Sequence, residues 1–216
     1  MIYPIFNSVV NCIEQELNKR EAEIKTFKTW NEDRINATGL EILIDLSGQS
    51  HFLDTLSINF DWDRFRETVL ARQLEGMEEH PFLQEENMVS TSIAPVIDIE
   101  ITWMFNEEKS QPQVEGHSQS RRLESASEWM EEISRDVNQL LGDDNIITRW
   151  HVEVEGDSTD KYLSAINLIS YYQYTLSDME SLNDVHRFVT RQLRSLLAKS
   201  RKVNKIVDNT LASVAA

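Results

Sequence analysis

Residues 96–105, Val96-Ile97-Asp98-Ile99-Glu100-Ile101-Thr102-Trp103-Met104-Phe105, decide the fold class. Ile97, Ile99, Ile101, Trp103 and Phe105 share one parity, whereas Asp98, Glu100 and Thr102 share the other, so a strand here buries one face and keeps the opposite face polar. A strand of that kind belongs to a mainly antiparallel or mixed sheet with helices on a single side.

Before this strand, Leu40, Ile42, Ile44 and Leu46 alternate with Glu41 and Asp45, and Ser47-Gly48-Gln49-Ser50 supplies turn chemistry. The return strand carries Leu56, Ile58 and Phe60 inward, with Ser57, Asn59 and Asp61 outward. Asp61 or Asp63 is placed to cap a helix running to about Met77, with Phe65, Val69 and Leu74 as its apolar stripe. After the central strand, Leu123, Ala126, Met130, Ile133, Val137 and Leu140 recur at alternating steps of three and four. This predicts a helix over 121–141, stopped by Gly142. A strand over 146–154 then sets Trp150, Val152 and Val154 against Arg149, His151 and Glu153.

The ends read as helices. Tyr3, Phe6, Val10, Ile13, Leu17, Ile24 and Phe27 predict one long helix from Pro4 to about Phe27, proline being suited to a first turn. Two further helices are expected after the last strand. One starts near Ser158 or Thr159 and contains Leu163, Ile166 and Ile169. The other is opened by Ser177-Asp178-Met179-Glu180, a capping-box pattern. The expected architecture is therefore a single α+β domain over 1–216. It has about four strands, one sheet face covered by helices, a long N-terminal helix and a C-terminal helix pair. An acidic loop over 78–95 and a mobile segment over 106–120 complete it. Trp62, Trp103 and Trp150 are expected in the core.

Composition narrows the function. The 216 residues carry 21 basic and 37 acidic side chains, a net charge of −16 that repels nucleic acid and anionic membranes. No window is apolar enough to span a bilayer, and the first residues lack the pattern of a signal peptide. The one cysteine, Cys12, excludes an intramolecular disulfide and a cysteine-rich zinc module, in keeping with a soluble, cytoplasmic protein.

Catalytic motifs are missing. Ser50, His51 and Asp54 have the residue types of a hydrolase triad, but they are neighbours in a turn and position 52 is Phe52, so no Gly-x-Ser-x-Gly elbow is present. No phosphate loop or His-Glu-x-x-His occurs. His80 and His117 sit alone in polar loops, and Cys12 reads as a small packed residue. No catalytic residue is assigned. If the strands 96–105 and 146–154 lie side by side, Asp98, Glu100, His151 and Glu153 gather on one polar face. Such a set suits Mg²⁺ or Mn²⁺ in a hydrolase, although a solvated face with Arg149 paired to Asp98 explains the same residues.

Charge is also segregated along the chain. Residues 185–216 hold seven of the basic side chains (Arg187, Arg191, Arg194, Lys199, Arg201, Lys202 and Lys205) and one acid, Asp208. Residues 1–184 keep the other 14 basic and 36 acidic ones. A basic, amphipathic helical tail on an acidic body points to a non-catalytic interaction protein. It would meet a protein partner of basic character on the acidic body, or self-associate through its long helices. The divalent-metal hydrolase is the alternative, and a domain binding a small apolar ligand between helices and sheet is a further one.

Overall fold

The computed structural model describes residues 3–19, 24–32, 37–74, 95–106, 109, 119–142, 147–156 and 161–215. Along the chain run α1 (Pro4–Asn18), β1 (Ile24–Glu32), β2 (Ala37–Asp45), β3 (Leu53–Asp63) and α2 (Arg64–Gln73). They are followed by β4 (Val96–Phe105), α3 (Gln119–Leu141), β5 (Ile147–Gly156), β6 (Lys161–Thr175) and α4 (Leu182–Ala215). The fold is α+β, with an antiparallel sheet in the order β1-β2-β3-β4-β6-β5.

Three expectations need correction. The sheet has six strands rather than about four. The first helix ends at Asn18, and Ile24 and Phe27 belong to a strand. The apolar repeat lapses between Leu17 and Ile24, and the stretch Thr26-Phe27-Lys28-Thr29-Trp30 has the β-branched and aromatic composition that suits a pleated surface. The segment expected as the first of two C-terminal helices is strand β6. Ile166, Leu168, Ser170 and Tyr172 are buried on one parity, but Ile169 is buried on the other. Burial on both faces hides the period of two, and leaves Leu163, Ile166 and Ile169 looking helical.

Other readings survive. β4 spans 96–105, and its five inward apolar side chains are at most 5 % exposed. α3 ends at Gly142, whose φ of 56° is the left-handed conformation that glycine adopts without strain. Asp63 caps α2 by accepting from the Arg66 amide at 2.7 Å. The expected box at 177–180 moves four residues on. The Asp184 amide donates to Ser181 Oγ at 3.3 Å, and that hydroxyl donates to Asp184 Oδ2 at 2.7 Å. One helix of 34 residues follows, instead of a pair. The acidic loop 78–95, apart from Pro95, and most of 106–120 lie outside the described residues, as do His80 and His117.

The chain forms two compact units, each discontinuous in sequence. One comprises Met1–Ile42, Asn59–Ile99 and Tyr172–Leu196; the other comprises Leu43–Ile58, Glu100–Tyr171 and Leu197–Ala216. In the first unit, α1 buries Ile5, Phe6, Val9, Ile13 and Leu17, and the Phe6 ring lies 6.0 Å from that of Trp62. The carboxylate of Glu67 in α2, wholly buried, accepts from the Ile5 amide at 2.6 Å, the Phe6 amide at 3.2 Å and Trp62 Nε1 at 2.5 Å. No side chain of α1 caps its own start, so α2 provides the acceptor that its free amides require. In the second unit, Trp129 of α3 meets Trp150 of β5 edge-on at 5.6 Å and Phe105 of β4 at 6.0 Å. The Trp150 N–H finds Ser134 Oγ at 2.6 Å, satisfying the polar end of a mainly apolar cluster.

Candidate interaction surface on the C-terminal helix

α4 is long because buried residues recur at helical spacing along it, Ser200 standing between Leu196 and Val203 in the series. Val185, Val189, Leu193, Leu196, Val203, Val207 and Leu211 are each at most 3 % exposed. The basic residues fall on the other side. Arg187, Arg191, Arg194, Arg201 and Lys205 continue one exposed stripe through Ala198 at steps of four, three, four, three and four, and Lys202 lies beside it.

The structure gives these cations different roles. Within the first unit, Arg187 ion-pairs with Asp184, whose carboxyl is held below its usual range first by the Ser181 hydroxyl and then by Arg187. The Arg191 guanidinium stands 5.7 Å from the Phe188 ring centroid, a cation–π distance. Arg194 binds the buried carboxylate of Glu16 in α1, and that pairing raises its already high pKa. Within the second unit, Lys199 Nζ donates to the Leu141 carbonyl at 2.9 Å and so closes the C-terminal end of α3. Arg201, Lys202 and Lys205 are exposed, and make no ion pair or hydrogen bond among the described residues.

The tail's single acid forms no ion pair with them among the described residues and is hydrogen-bonded elsewhere. Asp208 Oδ1 accepts from Ser50 Oγ at 2.7 Å, the His51 amide at 3.0 Å and the Phe52 amide at 3.3 Å. This pins the β2–β3 turn to α4. It also disposes of the triad residue types: Ser50 is bound to Asp208, while Asp54 accepts from Asn106 Nδ2 at 3.0 and 3.1 Å. Cys12 is half-buried, with Sγ 3.3 Å from Thr190 Oγ1. Its neighbour on α1, Ser8, places Oγ 2.9 Å from His186 Nε2, and burial lowers the pKa of that imidazole.

The four residues considered for a metal are arranged differently from the side-by-side expectation, because β6 separates β4 from β5. In the first unit, Asp98 is 3 % exposed, ion-paired to Arg66, and accepts from Gln173 Nε2 at 2.9 Å. Its expected partner, Arg149, lies in the second unit with Nη2 3.8 Å from Glu100. There His151 and Glu153 approach to 3.5 Å, with both side chains more than half exposed. Among the described residues no group of three or more His, Cys, Asp or Glu side chains is placed to hold a metal ion. The donor set offers a guanidinium-paired carboxylate and two loose exposed pairs, which suit ion pairing better than coordination.

Charge in the sequence marks Arg187, Arg191, Arg194, Arg201, Lys202 and Lys205 alike, without showing which of them are engaged or which residues fix the helix bearing them. Glu16 and Asp208 act on α4 through partners 178 and 158 positions away in sequence, and no local signal marks such pairs. No helix among the described residues is long and apolar enough to cross a membrane. Comparison with family models, with curated proteins and with solved structures finds no match for this chain.

Proposed function

We propose that this chain is a non-catalytic interaction protein, and that Arg201, Lys202 and Lys205 form the contact it offers to an acidic protein surface. The single observation that carries this reading is that these three exposed cations have no counter-charge among the described residues, while Arg187, Arg194 and Lys199 of the same helix are each engaged. Unpaired cations on a rigid helix suit rapid, salt-sensitive capture of an acidic partner.

The test is capture from native extract by the immobilised full chain and by its R201E/K202E/K205E variant. Proteins held by the wild type, released by salt and lost from the variant support the reading. Equal retention by both chains overturns it, once circular dichroism shows that the variant is folded.

A further inference from the structure

β5 stands at one end of the sheet and pairs with β6 from Ile147 to Gly156. The register shifts between Glu153 and Val154, whose partners are Ala165 and Leu163. The additional residue is therefore Ser164 of β6, and β5 itself alternates without interruption. An edge strand presents unpaired backbone N–H and C=O groups along its open side, and an unbroken one is a ready template for another strand.

The side chains of β5 carry a hidden symmetry. Reading outward from Val152, His151 mirrors Glu153, Trp150 mirrors Val154 and Arg149 mirrors Glu155. The strand thus sets Arg149 and the His151 ring against acids, and apolar against apolar, about its own centre. Two antiparallel copies related by a two-fold axis at Val152 would set each Glu153 against His151 of the other copy and each Glu155 against Arg149. Val154 would meet Trp150, and Val152 would meet itself.

We infer that β5 is a self-pairing edge, and that a second copy of this chain adds to it in the register centred on Val152. Exposure agrees with this. Val154 is 49 % exposed, one of two large apolar side chains that are exposed among the described residues. The Arg149, His151 and Glu153 side chains are 65, 54 and 56 % exposed. Their pairings within the chain, at 3.8 and 3.5 Å, are long and open to solvent, so they yield readily to closer partners. The neighbouring registers are worse. An axis at His151 keeps the Arg149–Glu153 pairing alone and sets His151 on itself, and an axis at Glu153 brings two carboxylates together. One strand pair buries little area, so the association is expected in the micromolar range. This inference concerns a different surface from α4 and does not rest on the function proposed above.

Sedimentation of the full chain over a micromolar concentration series tests it. The wild type and R201E/K202E/K205E should both dimerise. R149E/H151E and E153R/E155R should each dimerise at least about tenfold more weakly, because like charges then oppose. Mixing these two variants should restore a dimer containing one copy of each. Val152→Cys should give a disulfide-linked dimer that the wild type, with Cys12 alone, does not form. A wild type that stays monomeric throughout, a dimer that survives both charge variants, or a mixture that fails to pair would overturn the proposal.

Discussion

Arg194 of α4 binds Glu16 of α1 through Nε and Nη2, each 2.7 Å from a different carboxylate oxygen. Glu16 is 4 % exposed, and the planar, bidentate cation that meets it offsets the cost of burying its charge. Arg194→Ala should therefore destabilise the fold more than the double change Arg194→Ala with Glu16→Leu, which removes the buried charge together with its partner. Arg194→Lys should fall between the wild type and Arg194→Ala, since a lysine cannot reproduce the fork. Denaturant midpoints of the four chains give the ranking.

Glu67 provides the second non-local anchor of α1. It accepts from the Ile5 and Phe6 amides and from the Trp62 indole while wholly buried. Glu67→Ala should cost about 2–4 kcal/mol, because three buried donors lose an acceptor. Glu67→Gln should cost less, because one oxygen remains to accept. Amide exchange at Ile5 and Phe6 should rise in both variants, ahead of exchange in the middle of α1.

These two carboxylates show what the sequence makes legible. The alternation in 96–105 and the three-four stepping in 121–141 are local patterns, set by one buried face, and both elements form where those patterns lie. β6 reads as helical from sequence because Leu163, Ile166 and Ile169 recur at steps of three, whereas the strand buries Ile166, Leu168, Ser170 and Tyr172 on one parity and Ile169 on the other, so it lacks the clean alternation of 96–105. The basic character of α4 could be read from the sequence alone. The engagement of Arg194, Lys199 and Asp208 could not, since each depends on a partner brought near by the fold.

Asp61 should respond to pH. Its carboxyl lies above the usual aspartate value, first because partial burial disfavours the charge and then because Asp98 and Asp63 repel it, with Arg66 opposing. The folded state therefore holds this proton more tightly than the unfolded chain does. The associated stability is present below the usual aspartate pKa and is lost as pH rises through the folded value. Asp61→Asn should stabilise the protein near neutral pH by about 0.5 kcal/mol or less, given the exposure of the residue, and the gain should vanish in acid. Stability measured across that range, variant against wild type, gives the sign.

His186 should act in the opposite sense. Burial lowers its pKa, so the unfolded chain protonates first as pH falls. Stability is then full above the ordinary histidine value and declines as pH drops through the window between that value and the folded one. His186→Gln, which keeps a polar group near Ser8 Oγ, should flatten the stability profile in that window. A slope equal to that of the wild type would assign the acid sensitivity to other groups.

Gly39 of β2 is held to glycine by Trp30 of β1. A Cβ at position 39 would overlap Cε2 and Cζ2 of the Trp30 indole, which lies across the glycine, and the Thr38 hydroxyl donates to the Trp30 carbonyl at 2.8 Å. Aromatic cover of a strand glycine restores the packing that the missing side chain forgoes. Gly39→Ala should cost about 1–3 kcal/mol by displacing the ring. In a Trp30→Ala background the same change should be neutral or stabilising, because the obstacle is gone and alanine is less costly than glycine within a strand. A double-mutant cycle on denaturant midpoints should return a coupling of similar size to the single loss, whereas independent effects would show that the indole is not what fixes the glycine.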